Sequence, residues 1–151
     1  MALKPDRIEL QTDVSFFMNS VAARGGVVSV STGGSGVAMD DASAVVAYAA
    51  DPSGALPVGV LLNDVVDLDL TRQHINWHKD EVQKGGKVTL LQVGQVTTDK
   101  VAGSPAAGEV AYVAANGTIG NDADGGNNAA IGRFLSGKDA DGFAKVAVNI
   151  A

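Results

Sequence analysis

Two histidines, His74 and His78, stand four residues apart beside Trp77, Asp80 and Glu81. On a helix that spacing puts both imidazoles on one face, where a divalent metal bridges them. Such a site needs a third ligand in fixed geometry, and the pair lacks the internal glutamate of a His-Glu-x-x-His motif. The two read better as surface or contact residues, and no metal is expected. Asp122-Ala123-Asp124-Gly125 and Asp139-Ala140-Asp141-Gly142 share the opening of a calcium loop. Both lack its downstream bidentate glutamate and the full alternation of oxygen ligands, so both read as Asp-Gly turns.

Gly33-Gly34-Ser35-Gly36 and Gly85-Gly86-Lys87 are not followed by the Gly-Lys-Ser/Thr of a phosphate loop, and there is no Gly-x-Ser-x-Gly elbow. Asn116-Gly117-Thr118 has the form of a glycosylation sequon, but it reads as a hairpin turn. Without a nucleophile, base and metal that converge, neither an enzyme nor a cofactor is expected.

The elements that carry these residues are clearest in the last third of the chain. Glu109–Val113 is a β-prone run after the turn glycine Gly108. Asn116-Gly117 is the dipeptide that most favours a type I′ turn, since both central residues need positive φ. A strand over Ile131–Ser136 and a turn at Asp139–Gly142 follow the polar loop 121–128. In Lys145–Ile150, Val146, Val148 and Ile150 alternate onto one face. This is an antiparallel β-unit around which the remainder is expected to be built.

Composition agrees with strands and turns. The chain has 151 residues, nineteen glycines and 46% hydrophobic residues, but only 5% aromatics and no cysteine. One domain with a sizeable core is expected, and disulfides and thiolate metal sites are excluded. A net charge of −6 argues against nucleic acid as a partner. Residues 25–71 carry six acids and no base, whereas Arg72–Lys100 carries five bases and three acids. Lys4, Asp6, Arg7 and Glu9 break the place where a signal peptide would have its apolar core. No apolar run reaches the ~20 residues of a membrane helix, so no membrane partner is expected.

Residues 1–24 read as an extended N-terminal arm and 25–151 as the β-domain. In the arm, Ile8 and Leu10 alternate with polar neighbours, ahead of the apolar cluster Val14, Phe16, Phe17, Met18 and Val21. Asp13 would cap a short helix over Val14–Ala23, and extended structure is equally consistent. Phe16 and Phe17 either close the domain's own core or pack on a neighbour. Strands are expected at Val27–Ser31, Ala42–Ala50, Leu56–Leu62, Val66–Leu70 and Lys87–Val96, the last with a bulge where parity slips between Leu90 and Leu91. Thr71–Lys84 lacks glycine and proline, and is read as one short helix or loop excursion. Val46-Ala47-Tyr48 with Val58–Leu62 is echoed by Val110-Ala111-Tyr112 with Ile131–Leu135; shared turn chemistry explains this more simply than a true repeat.

Gly108-x-x-Ala111-Tyr112-Val113, the Asn116-Gly117 turn, Ile131–Leu135 and Asp141-Gly142 with Val146, Val148 and Ile150 resemble the capsid decoration (cement) proteins of tailed bacteriophages. Gly59–Val65 and Asn76–Val82 are similar to virion proteins of podovirus-type phages. The resemblance covers about two-thirds of the chain and rests on strand-and-turn patterns. It implies an all-β fold, a small antiparallel β-barrel or sandwich (β-tulip-like), that forms a homotrimer on the outer capsid surface of the virion. There it would cement neighbouring major capsid subunits, its partner being the major capsid protein. The acidic middle and the His74–Glu81 excursion depart from the simplest members, which leaves open the symmetry axis and the contact surface.

Partner-binding residues are then expected at Ile8, Leu10, Phe16, Phe17 and Trp77, because buried aromatic and apolar anchors dominate interfaces. For Trp77 a place in the domain's own core is an equal alternative. Another function class is a carbohydrate- or receptor-binding β-module of a virion appendage, which the scarcity of aromatics disfavours. A third is a metal-dependent hydrolase on His74 and His78, which metal analysis of the pure protein would test.

Overall fold

The computed structural model describes residues 3–4, 6–13, 16–20, 22–33, 45–62, 68–69, 74–75, 81–82 and 88–150. Among these, fourteen strands follow one another: β1 (Ile8–Asp13), β2 (Phe17–Met18), β3 (Ala22–Ala23), β4 (Val27–Thr32), β5 (Val45–Ala47), β6 (Pro57–Leu61), β7 (Leu68–Asp69), β8 (His74–Ile75), β9 (Glu81–Val82), β10 (Leu90–Thr98), β11 (Val110–Val113), β12 (Ile119–Gly120), β13 (Ala130–Phe134) and β14 (Ala144–Asn149). Only two single 3₁₀ turns, Ala115–Gly117 and Asp124–Gly126, interrupt them among the described residues. The protein is all-β.

Ten strands form one mixed sheet in the order β12-β11-β13-β14-β10-β6-β4-β5-β2, with β1 added on β10. The sheet is open rather than closed into a barrel. Its β12 end is covered by residues 100–102, through Ile119 N–H to Lys100 O and Ala102 N–H to Ile119 O. β10 changes partner along its length: Leu90 and Leu91 pair with β6, and Val93–Thr98 pair with β14. A strand shared in this way lets one sheet turn a corner and face itself. Val27, Val60, Leu62 and Leu91 thereby join Val113, Ile119, Ile131, Phe134, Val146 and Val148 in a first core.

The other face of the same central strands is buried as well. Val28, Leu61 and Leu90 pack with Met18, Val46 and Val88 in a second core, partly covered by Phe16 and Tyr48. Two-sided burial explains why the neighbours Leu90 and Leu91 are both fully buried. No bulge falls between Leu90 and Leu91, where one was expected, since both pair in register with β1 and β6; β10 bulges further along instead. In the β1–β10 ladder Gln11 opposes Val93 and Thr12 opposes Leu91, which leaves Gln92 as the extra residue.

Residues 1–24, expected as an arm, are built into the body in their described part. β1 pairs with β10, β2 pairs in parallel with β5, and β3 pairs with β9. Leu3 lies in the first core and Met18 in the second. The physical reason is the second core: strands with two apolar faces need a cover on each side, and Phe16–Met18 supplies one.

The chain's echo does not become a structural repeat. β11 pairs with β13, whereas β5 and β6 each pair with β4 and not with each other. Of the expected helix or excursion over Thr71–Lys84, His74–Ile75 and Glu81–Val82 are strands, and the rest lies outside the described residues. Residues 42–44 of the strand expected at Ala42–Ala50 also lie outside them.

Candidate interaction surface

Alternation along β10 and β14 sends Val96, Val146 and Val148 inward, so Gln95, Thr97, Lys145 and Ala147 take the opposite face. The strand register then builds a row across five strands. Val110 opposes Arg133, Arg133 opposes Ala147, Ala147 opposes Gln95, and Gln95 opposes Ile8. With strands ~4.8 Å apart, the row is roughly 19 Å long. Beside it run Lys145 opposite Thr97, and Asn149 opposite Val93 opposite Gln11. Gln11 donates through Nε2 to Gln92 Oε1 at 2.8 Å, tying the edge strand to its neighbour.

Leu10 is the extra residue of a bulge in β1, since Glu9 opposes Gly94 and Gln11 opposes Val93. A bulge re-aims the side chain that it carries, and Leu10 is 74% exposed. Ile8, two residues earlier, is 49% exposed. Leu56 and Leu135 are exposed too, but scattered single leucines are ordinary on a surface. Ile8 and Leu10 instead share one edge strand beside an open sheet face.

Charge on this side differs from the overall acidity. Arg133 is exposed and donates from Nη1 to Gly108 O at 2.6 Å, and Lys145 Nζ lies 3.9 Å from Asp6. Arg7 pairs with Glu9 at 2.8 Å and reaches Leu62 O at 3.3 Å. Lys4 stands 4.5 Å over the Phe143 ring and 3.9 Å from Asp139. The contacts of Lys4 and Asp6 fasten the strap ahead of β1 across the 139–145 region, although each exposed pair is worth little alone.

At the β12 end an open cleft of about 430 Å³ is lined by Asp51, Ala102, Gly120, Asn121, Asp122 and Asn128 among others. Two of its carboxylates are engaged in turns. Asp51 accepts from Ser53 N–H at 3.0 Å, and Asp122 accepts from Asp124 N–H at 2.9 Å. Asp139 likewise accepts from the backbone N–H groups of Asp141 and Phe143. The Phe143 N–H is the main reason its pKa lies below the ordinary carboxylate value. Glu109 is lowered for the same kind of reason, first by the Ala106 N–H and then by the Asn121 amide. Both Asp-x-Asp-Gly segments thus work as turns. Among the described residues no three acidic or histidine side chains are grouped to hold a metal.

Of the five expected contact residues, the structure brings Ile8 and Leu10 together at the surface. Phe16 is half-buried and packs against the second core. Phe17 is half-buried on β2, opposite Val45. Trp77 and His78 lie outside the described residues, and His74 is described only as a backbone partner of Asp69. Sequence reasoning missed Arg133, Lys145 and Gln95 as members of one face. Period-2 alternation marks them as outward, but only cross-strand register makes them neighbours. Compared with known proteins, the sequence matches no family model and no curated protein.

Proposed function

We propose that this chain is a structural virion protein that binds the outside of a phage capsid and cements neighbouring major capsid subunits. The observation that supports the reading is the pair Ile8 and Leu10, exposed on edge strand β1 at the border of a five-strand open face. The resemblance of its strand-and-turn pattern to that of decoration proteins points the same way. Adhesion needs a stiff body and apolar anchors, and the two cores supply the stiffness. Burying an exposed aliphatic side chain contributes up to about 1.5–3 kcal/mol. A trimer repeats that gain at several tethered contacts, which slows dissociation far more than one contact does.

The test is sedimentation of the purified protein with assembled phage heads. Wild type is expected to pellet with the heads, and the double variant Ile8→Lys/Leu10→Lys to stay in the supernatant with an unchanged melting curve. A wild-type protein that never pellets with heads sinks the capsid reading. A double variant that binds like wild type sinks the role of β1. Light scattering on the free and head-bound protein reports whether the adhesive unit is a trimer.

A further inference from the structure

Asn116 and Gly117 form the tip of the β11–β12 hairpin, both at positive φ, 58° and 76°. Asn116 has ψ 33°. At that ψ the Gly117 nitrogen lies nearly anti to the Asn116 Cβ about the Cα–C bond, which holds it far from the side-chain carbonyl carbon. This matters because asparagine before glycine is chemically labile. The glycine nitrogen is unhindered, and in a mobile chain it closes readily onto the amide.

Several contacts hold the tip in its present form. Asn116 N–H donates to Ala49 O at 2.8 Å, and Ala114 N–H donates to Thr118 O at 2.8 Å. Gly117 is buried under the Tyr48 ring, so closely that an added Cβ would run into the ring carbons. Tyr48 is fixed in turn at its hydroxyl, which donates to Ala23 O and accepts from Gly26 N–H at 3.0 Å. Asn116 itself is exposed to water.

We propose that Asn116 is a self-modification site that the fold holds shut. When the hairpin opens, the Gly117 nitrogen loses its proton to base and bonds to Asn116 Cγ. The side-chain nitrogen leaves as ammonia, taking up a proton. Water then adds to one of the two carbonyls of the cyclic imide. One product has aspartate at 116, which tolerates the left-handed turn. The other is isoaspartate, whose extra main-chain methylene breaks the hairpin register. Each adds a negative charge to a chain already at −6. Opening of the β12 end is thereby recorded covalently.

The experiment incubates full-length protein at mildly alkaline pH, natively and in urea, and maps isoaspartate by position after proteolysis, with ammonia release measured in parallel. Position 116 is expected to convert at least about tenfold more slowly in the native protein, because protection follows the population of the opened state. Tyr48→Phe, which removes only the hydroxyl, is expected to convert faster than wild type below its melting temperature. Equal rates in native and unfolded wild type overturn the proposal, as does an unfolded chain that leaves position 116 intact. A Tyr48→Phe rate equal to wild type removes Tyr48 from the lock. Ammonia release separates this reaction from isomerisation at Asp124-Gly125 and Asp141-Gly142.

Discussion

Replacing Met18 with alanine tests whether residues 1–24 belong to the body of the protein. Met18 is 1% exposed and packs with Val28, Val46, Leu61, Val88 and Leu90 in the second core. Truncating a buried methionine to alanine costs about 2–5 kcal/mol through lost transfer energy and the cavity left behind. For a domain of this size each kcal/mol lowers the melting temperature by about 2–4 °C. The expected drop is therefore roughly 4–20 °C, a large share of a typical total stability of about 5–15 kcal/mol. Leu10→Ala is the control in the same segment: at 74% exposure it should change stability by less than about 0.5 kcal/mol. Urea unfolding followed by circular dichroism measures both. Removing residues 1–20 deletes Leu3 and Met18, and so damages both cores; an unfolded product is expected rather than a trimmed domain. If Met18→Ala costs no more than Leu10→Ala, the second core does not exist as described and the segment is a dispensable arm.

Two further outcomes follow from the geometry. Gly94→Ala should cost about 1–3 kcal/mol by overpacking, since a Cβ there would meet the Ile8 carbonyl and the Leu91 side chain; hydrogen exchange should show β1 losing protection first. Asp139 should titrate below the ordinary aspartate value in the folded protein, mainly because the Phe143 N–H favours its charged form. A carboxylate with a lowered native pKa contributes stability above its unfolded pKa, and that contribution disappears as pH falls through the native value. Carboxyl NMR titration reads the shift directly, and Asp139→Asn should flatten the acid limb of the stability curve.

The all-β class was legible because it rests on local chemistry. Turn residues at Asn116-Gly117 and Asp139–Gly142, and alternation in Val146, Val148 and Ile150, are decided within a few residues of backbone. Asn116 and Gly117 do take positive φ, as a type I′ turn requires. Ile8 and Leu10 were legible as apolar residues among polar ones, and the structure leaves both exposed. Phe16 was not separable from them, because an aromatic ring on a strand reads the same whether it covers a neighbour or its own core.

Sequence by itself therefore settled where strands and turns fall near Gly108–Ile150, because hydrogen bonding and steric limits act over short spans. Tertiary structure decided what those strands face. Leu61 and Leu62, or Leu90 and Leu91, are adjacent buried residues whose roles differ only because β4, β6 and β10 lie between two cores. It also decided that Ile8, Gln95, Ala147, Arg133 and Val110 share a row, though they come from five separate strands. Register between strands is set by how apolar faces are paired across the whole sheet, and no short stretch of residues contains that information.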